Sequence, residues 1–330
     1  MIHSIGGRPP AQRPVIHVDA VLDTTADPRI SPPPSSRVRL NRISAPDRLN
    51  AMAVITPRAV HLTLARAAVQ TIADDAGADL LHIKGNAVDP ALRSTERPGT
   101  DIDVLIRPQD IERFDARLRL LGWTVYSTFV FGSPFGHAQT YQHDVWGYLD
   151  VHRHFPGIEL HPAAAFDMLW ATRSERSFGQ VGCAVPSLTA QSLIMLLNCA
   201  RTPVHEDLVS QWTDASPQHR AEVNRLAIAL RAEVALAAAT GHLDRARGRR
   251  TYALWNVIVN GGTRAQEWRA RVWAAPTFRD AILVVLRAPL VNIDVLSHRL
   301  GRPPTRSEIV REFFARPLTA VRQFRERQRP

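Results

Sequence analysis

The segment Asp101-Ile102-Asp103-Val104-Leu105-Ile106 restricts the fold of this chain more than any other. Its alternation has a period of two, the period of a β-strand. In a strand, Asp101 and Asp103 project together while Ile102, Val104 and Ile106 pack beneath. Two carboxylates held side by side repel each other, and burial worsens the repulsion. A divalent cation resolves that conflict. Oxygen-only ligation points to Mg2+ or Mn2+ rather than zinc. The plainer alternative is a pair of turn caps following Pro98-Gly99.

A third carboxylate fits the same logic. In Tyr148-Leu149-Asp150-Val151-His152, Leu149 and Val151 face one way and Asp150 faces the other. If this strand lies beside the first, Asp101, Asp103 and Asp150 converge. Three such carboxylates suit two metal ions about 4 Å apart, which activate an attacking hydroxyl and neutralise a phosphate transition state. His152 shares the face of Asp150 and reads as an acceptor-side or hydrogen-bonding neighbour. A zinc site built from the histidines between His137 and His161 is a rival use of the same stretch.

Around these strands the chain has two textures. Residues 1–50 carry eight prolines and read as a tail or arm. Pro57 opens a helix with Thr56 as its cap, running to about Asp75 and stopping before Gly77. Leu80–Ile83 is a short buried strand, and Lys84-Gly85-Asn86 turns into a second helix over 87–94 with Asn86 as its cap. A helix follows Pro108, then strands over 123–131, 139–143 and 148–152. After Pro162 the strand signals vanish. Helical periodicity covers 163–172, 188–200, 218–239, 252–259, 263–273 and 279–286, and Thr305-x-x-Glu308 forms a capping box. The reading is therefore an α/β half over 51–160 and a helical half over 161–330. Trp170, Trp212, Trp255, Trp268 and Trp273 are expected as core anchors of the second half.

Charge adds one pointed observation. The formal net charge is +10, yet of 41 basic residues only Lys84 is a lysine. The arginines are scattered over predicted helices and read as solvated faces; the denser run from Arg302 to Pro330 reads as a solvated or partner-facing helix. Lys84 differs because it sits in a turn. Its ammonium is a compact charge, and Gly85 lets backbone N–H groups approach a phosphate closely. Arg97 is a candidate clamp on the same phosphates. Two cysteines without a CxxC pair exclude a disulfide framework. The start has no apolar h-region, and the apolar run 281–296 is broken by Arg287, Pro289 and Asp294. The cytoplasm is the expected compartment.

The combination of His82-Ile83-Lys84-Gly85, Arg97 four residues before Asp101-x-Asp103, and Leu149-Asp150-Val151-His152 resembles the uncharacterised nucleotidyltransferase family of the polymerase-β-like superfamily. The resemblance covers about residues 57–200. It implies an α/β fold: a nucleotidyltransferase-type mixed sheet with flanking helices, followed by a mostly α-helical C-terminal region. It implies that Asp101 and Asp103 bind two metal ions, that Asp150 binds one and helps deprotonate the acceptor, and that the Lys84-Gly85 turn holds a nucleoside triphosphate. Members of this family tend to sit among natural-product and surface-polysaccharide genes, so a peptide or sugar acceptor is implied. Transfer of a phosphoryl or glycosyl-type group, a tRNA-modifying enzyme and a non-catalytic binding module are the competing functions.

Overall fold

The computed structural model describes residues 56–93, 99–130, 135–202, 205–287, 291, 293–300 and 302–314. The described residues all lie in one compact unit, Ile55–Pro330. The expected tail, Arg97, and residues 315–330 of the Arg-rich C-terminal segment lie outside them.

Among the described residues one sheet has five strands: β1 (Leu80–Ile83), β2 (Ile102–Ile106), β3 (Thr124–Ser127), β4 (Ala138–His143) and β5 (Gly147–His152). Their order across the sheet is β1-β2-β5-β4-β3. The pairing of β2 with β5 is parallel and the other pairings are antiparallel. Helices α1 (Arg58–Ala76) and α2 (Ile111–Leu120) cover one face. There Leu62, Val69 and Ile72 of α1 and Phe114 and Leu118 of α2 pack on Leu80, Ile102, Val104, Ile106, Leu149 and Val151. Each such side chain contributes about 1.5–3 kcal/mol by leaving water. Gly77 ends α1 in the left-handed conformation, its N–H reaching the carbonyls of Ala73 and Asp74.

The opposite face bears Leu81, Ile83 and Leu105, and it joins the helical half in one buried cluster. Phe166 and Leu169 of α3 (Pro162–Ala171), Leu193 and Leu197 of α4 (Leu188–Cys199) and Trp255 all belong to that cluster. The remaining helices are α5 (His205–Leu208), α6 (Pro217–Ala229), α7 (Glu233–Ala239), α8 (Tyr252–Asn260), α9 (Arg264–Ala274), α10 (Phe278–Arg287), α11 (Ile293–Leu300) and α12 (306–314). At the last, Glu308 N–H donates to Thr305 Oγ1 and Thr305 N–H to Glu308 Oε2, as the capping-box pattern predicts. None of the described helices is long and apolar enough to cross a membrane.

Four expectations are corrected. The helix expected over 87–94 is instead two short 3-10 turns, Gly85–Ala87 and Pro90–Leu92. Pro90 forces Asp89 into an extended conformation, φ −61 and ψ 133, which stops helix propagation. The stretch 218–239 breaks into α6 and α7 at Arg231, whose φ is 53. The break frees the carbonyls of Leu230 and Arg231 to accept from Leu160 and Glu159. A hairpin, β6 (Ser174–Phe178) and β7 (Val181–Val185), stands where strand signals were absent. Its turn is a left-handed pair, Gly179 at φ 55 and Gln180 at φ 66. Only Phe178, Cys183 and Val185 are buried; β6 is mostly polar, and the apolar β7 is too short to show a clear alternation. Finally, Trp273 is 68% exposed, unlike Trp255.

Gly157 shows how tightly the two halves meet. Its φ is +101, and a Cβ there would lie 2.7 Å from Ala235 Cβ and 3.3 Å from Leu197 Cδ2. Gly157→Ala therefore combines backbone strain with overpacking and is expected to cost about 2–4 kcal/mol. Urea unfolding followed by circular dichroism measures it; a loss below about 0.5 kcal/mol would contradict the packing described here.

Candidate active site

The parallel register sets Asp103 directly opposite Asp150, and β4 sets Thr140 beside Asp150. Ile83 of β1 flanks Asp103 on the other side. One row of the sheet thus reads Ile83, Asp103, Asp150, Thr140. The next row on the same face reads Leu81, Leu105, His152, Ala138. The carboxylates occupy the polar margin of an otherwise apolar face.

Asp103 is 5% exposed. Its Oδ1 is ion-paired with Lys84 Nζ and also accepts from His152 Nε2 at 3.0 Å. That bond fixes the His152 proton on Nε2, and His152 Nδ1 is buried with no hydrogen-bond partner. Burial alone would raise the pKa of Asp103, but Lys84 and His152 outweigh it and hold the carboxyl well below the usual range. Burial, and then the Lys84 charge, lowers His152 to about 4, so the imidazole is neutral.

Asp150 behaves in the opposite sense. Burial and the neighbouring Asp103 charge push it up to about 6, against a 2.6 Å hydrogen bond from Thr140 Oγ1 to its Oδ1. Asp101, one residue ahead of β2, is partly exposed and accepts from Thr100 Oγ1 at 3.0 Å. Burial and Asp103 raise it as well. Asp101 and Asp150 are therefore carboxylates that an added positive charge would favour in their ionised form.

Asp103, Asp150 and His152 each offer one ligand atom, and these atoms lie within 4.8 Å of one another. Asp101 is not in that group. Two oxygens and an imidazole nitrogen, with a carboxylate pair wanting positive charge, fit a divalent cation. His137 lies beside His152, with ring centroids 5.0 Å apart, and His154 lies 6.2 Å from His137. Burial lowers both His137 and His154. Among the described residues the histidines form no zinc cluster of their own.

The turn that delivers Lys84 is held by a residue that sequence reasoning missed. Arg66 of α1 is fully buried. Its guanidinium donates to Asn86 Oδ1 at 2.5 Å, to the Lys84 carbonyl at 3.2 Å and to the Asp103 carbonyl at 3.4 Å. It also faces His82 Nδ1 at 3.3 Å. Asn86 thus serves Arg66 rather than capping a helix. Burial lowers Arg66 to about 10, the nearby Asp103 charge opposing the shift. Gly99, ahead of Asp101, packs on the turn so closely that a Cβ would meet Gly85 Cα at 3.3 Å.

Arg93 and two glutamines of the helical half fasten the turn and the segment that follows it. Arg93 Nη1 donates to the Gly85 carbonyl at 2.9 Å, and Gln191 Oε1 of α4 accepts from the Asp89 N–H at 2.7 Å. Gln211 donates to the Leu92 carbonyl at 2.6 Å from a π-helical turn, Val209–Thr213. Such turns recur at functional sites.

A model of a family described as uncharacterised nucleotidyltransferase matches residues 50–236. No curated protein matches the chain significantly. Among solved structures, the chain is similar to a lincosamide antibiotic adenylyltransferase crystallised with lincomycin bound. The identity is 18% and the TM-score 0.29, covering 48% of this chain and 92% of the other.

Proposed function

This chain belongs to the uncharacterised nucleotidyltransferase family, and from that premise we propose that it transfers a nucleoside monophosphate from a nucleoside triphosphate to a small-molecule hydroxyl or phosphate. The observation that carries the reading is the pairing of Asp103 with Asp150 across two parallel strands, next to a Lys-Gly turn. An acceptor oxygen attacks the α-phosphorus; the new O–P bond forms as the bond to the β-phosphate oxygen breaks. Pyrophosphate leaves, carrying the electron pair of that bond.

Asp103, Asp150 and His152 would hold a divalent ion, Mg2+ in our reading. When bound, it supplies charge neutralisation at the phosphates. Asp101, at the exposed side of the carboxylate row, adds a further oxygen towards the nucleotide. Asp150 takes the acceptor proton, its carboxylate oriented by the hydrogen bond from Thr140 Oγ1 to Oδ1. The Lys84-Gly85 turn and Arg97 orient the triphosphate, and His152 orients Asp103. Orientation and charge stabilisation together supply most of the rate enhancement. The 51–160 segment carries this chemistry, and the 161–330 segment buttresses the turn and faces the acceptor. A peptide or sugar is the acceptor class we favour, in a natural-product setting within the cytoplasm.

The test compares label from α- and γ-labelled nucleoside triphosphates, using extracts of candidate acceptors and Mg2+. Label from the α-position, with release of pyrophosphate, is the expected result. Label from the γ-position alone would replace nucleotidyl by phosphoryl transfer. Label from neither would leave the reading without support.

A further inference from the structure

We propose that the site works with a single divalent ion, because the Lys84 ammonium supplies the second positive charge that a two-ion centre takes from a metal. The inference rests on the nucleotidyltransferase reading and deepens it. Three independent observations converge on it.

The first is the use of Asp103. Its Oδ1 already serves two internal partners, Lys84 Nζ and His152 Nε2. Only Oδ2 is left for an ion, so the bridge in which each carboxylate oxygen takes one of two ions is closed while Lys84 holds Oδ1. The second is ligand supply. The convergent group comprises Asp103, Asp150 and His152, and Asp101 stands outside it. With the ammonium in place these three ligands serve one ion that completes its shell with phosphate oxygens and water; without it, the Asp103 Oδ1 side and the neighbouring Asp101 carboxylate become open to a second.

The third is backbone strain. Lys84 has φ 55 and ψ −175. That region is essentially reserved for glycine and costs a non-glycine residue about 1–3 kcal/mol. A glycine would sit there freely, yet the chain spends its only lysine at this position. The surroundings enforce the conformation: Arg66 donates to the carbonyls of Ile83 and Lys84 at 3.5 and 3.2 Å. Strain held in place by a fully buried arginine marks a side chain whose direction matters. That direction is towards Asp103.

The experiment counts Mn2+ bound by the full chain, by electron paramagnetic resonance of the free ion during titration. Wild type is expected to bind one Mn2+ per chain. Lys84→Met, which removes the ammonium but keeps the stem, is expected to bind two. Lys84→Gly guards against a folding artefact, because it relieves the backbone while removing the same charge, and it is also expected to bind two. Two ions on wild type, or one ion on wild type and on both variants, would overturn the proposal while leaving nucleotidyl transfer intact. No saturable Mn2+ on any of them would sink the metal-dependent reading itself.

Discussion

Asp103→Asn is expected to lower nucleotidyl transfer by about three orders of magnitude, the size of effect seen when one preorganised charge is removed from a transition-state site. The substitution is nearly isosteric. It keeps an oxygen for His152 Nε2 but removes the anion that Lys84 neutralises. It also leaves the Lys84 ammonium without its carboxylate at a largely buried position. Losing one partner of a buried pair costs about 3–5 kcal/mol, and the lysine side chain, 21% exposed, places the expected loss at the lower end. The measurement is initial rate with α-labelled nucleotide, alongside thermal unfolding at the same pH. A variant that retains more than about a tenth of the rate would show that Asp103 does not act at the reacting phosphate.

Asp150→Asn is expected to move activity and stability in opposite directions. In the metal-free protein the Asp150 carboxyl is lifted from 3.8 to about 6. Its folded form binds a proton more tightly than its unfolded form. Folding therefore loses stability as pH rises through about 4 to 6, and the loss is complete above that window. The full penalty is about 3 kcal/mol. Asparagine removes the charge and keeps an acceptor for Thr140. In chelator-treated samples the variant should melt higher than wild type near neutral pH, and the two curves should meet below about pH 4. Added Mn2+ should raise the wild type and leave the variant nearly unmoved, since a ligand stabilises only the form that binds it. Transfer activity should fall as it does for Asp103→Asn. Equal melting of the two proteins across the pH range would mean that Asp150 is not held against its neighbour's charge.

How much of this was visible in the sequence depends on the kind of signal each residue leaves. Alternation in Asp101–Ile106 and Tyr148–His152 fixes which side chains share a face, and the register places Asp103 against Asp150 as that alternation requires. Asp101 was expected in the same cluster. It stands just before β2, where the chain leaves the ladder, and periodicity says nothing about where a strand begins. Lys84 stood out by its rarity, but its backbone conformation left no trace in composition. Arg66 was invisible for a simple reason. It is one arginine in an arginine-rich chain, and only the fold shows that it points inward between Ala65 and Ala67. The β6–β7 hairpin escaped because Ser174-Glu175-Arg176-Ser177 has the polarity of a loop, while its few buried residues pack with Ala87, far away in sequence.

The single parallel pairing has a consequence for when the protein becomes active during its synthesis. Strands joined by a tight turn meet as soon as both exist, whereas β2 and β5 must wait for α2, β3 and β4 to be made between them. Closing so long a loop is slow and is rewarded only once the distant strand docks. A nascent chain that ends before Gly147 carries Asp101, Asp103 and Lys84 but has nothing to set against them. It has neither the opposing carboxylate nor His152, so it offers free metal ions little more than a flexible acidic turn. The carboxylate pair thus exists only once Gly147–His152 has been made and has docked beside β2.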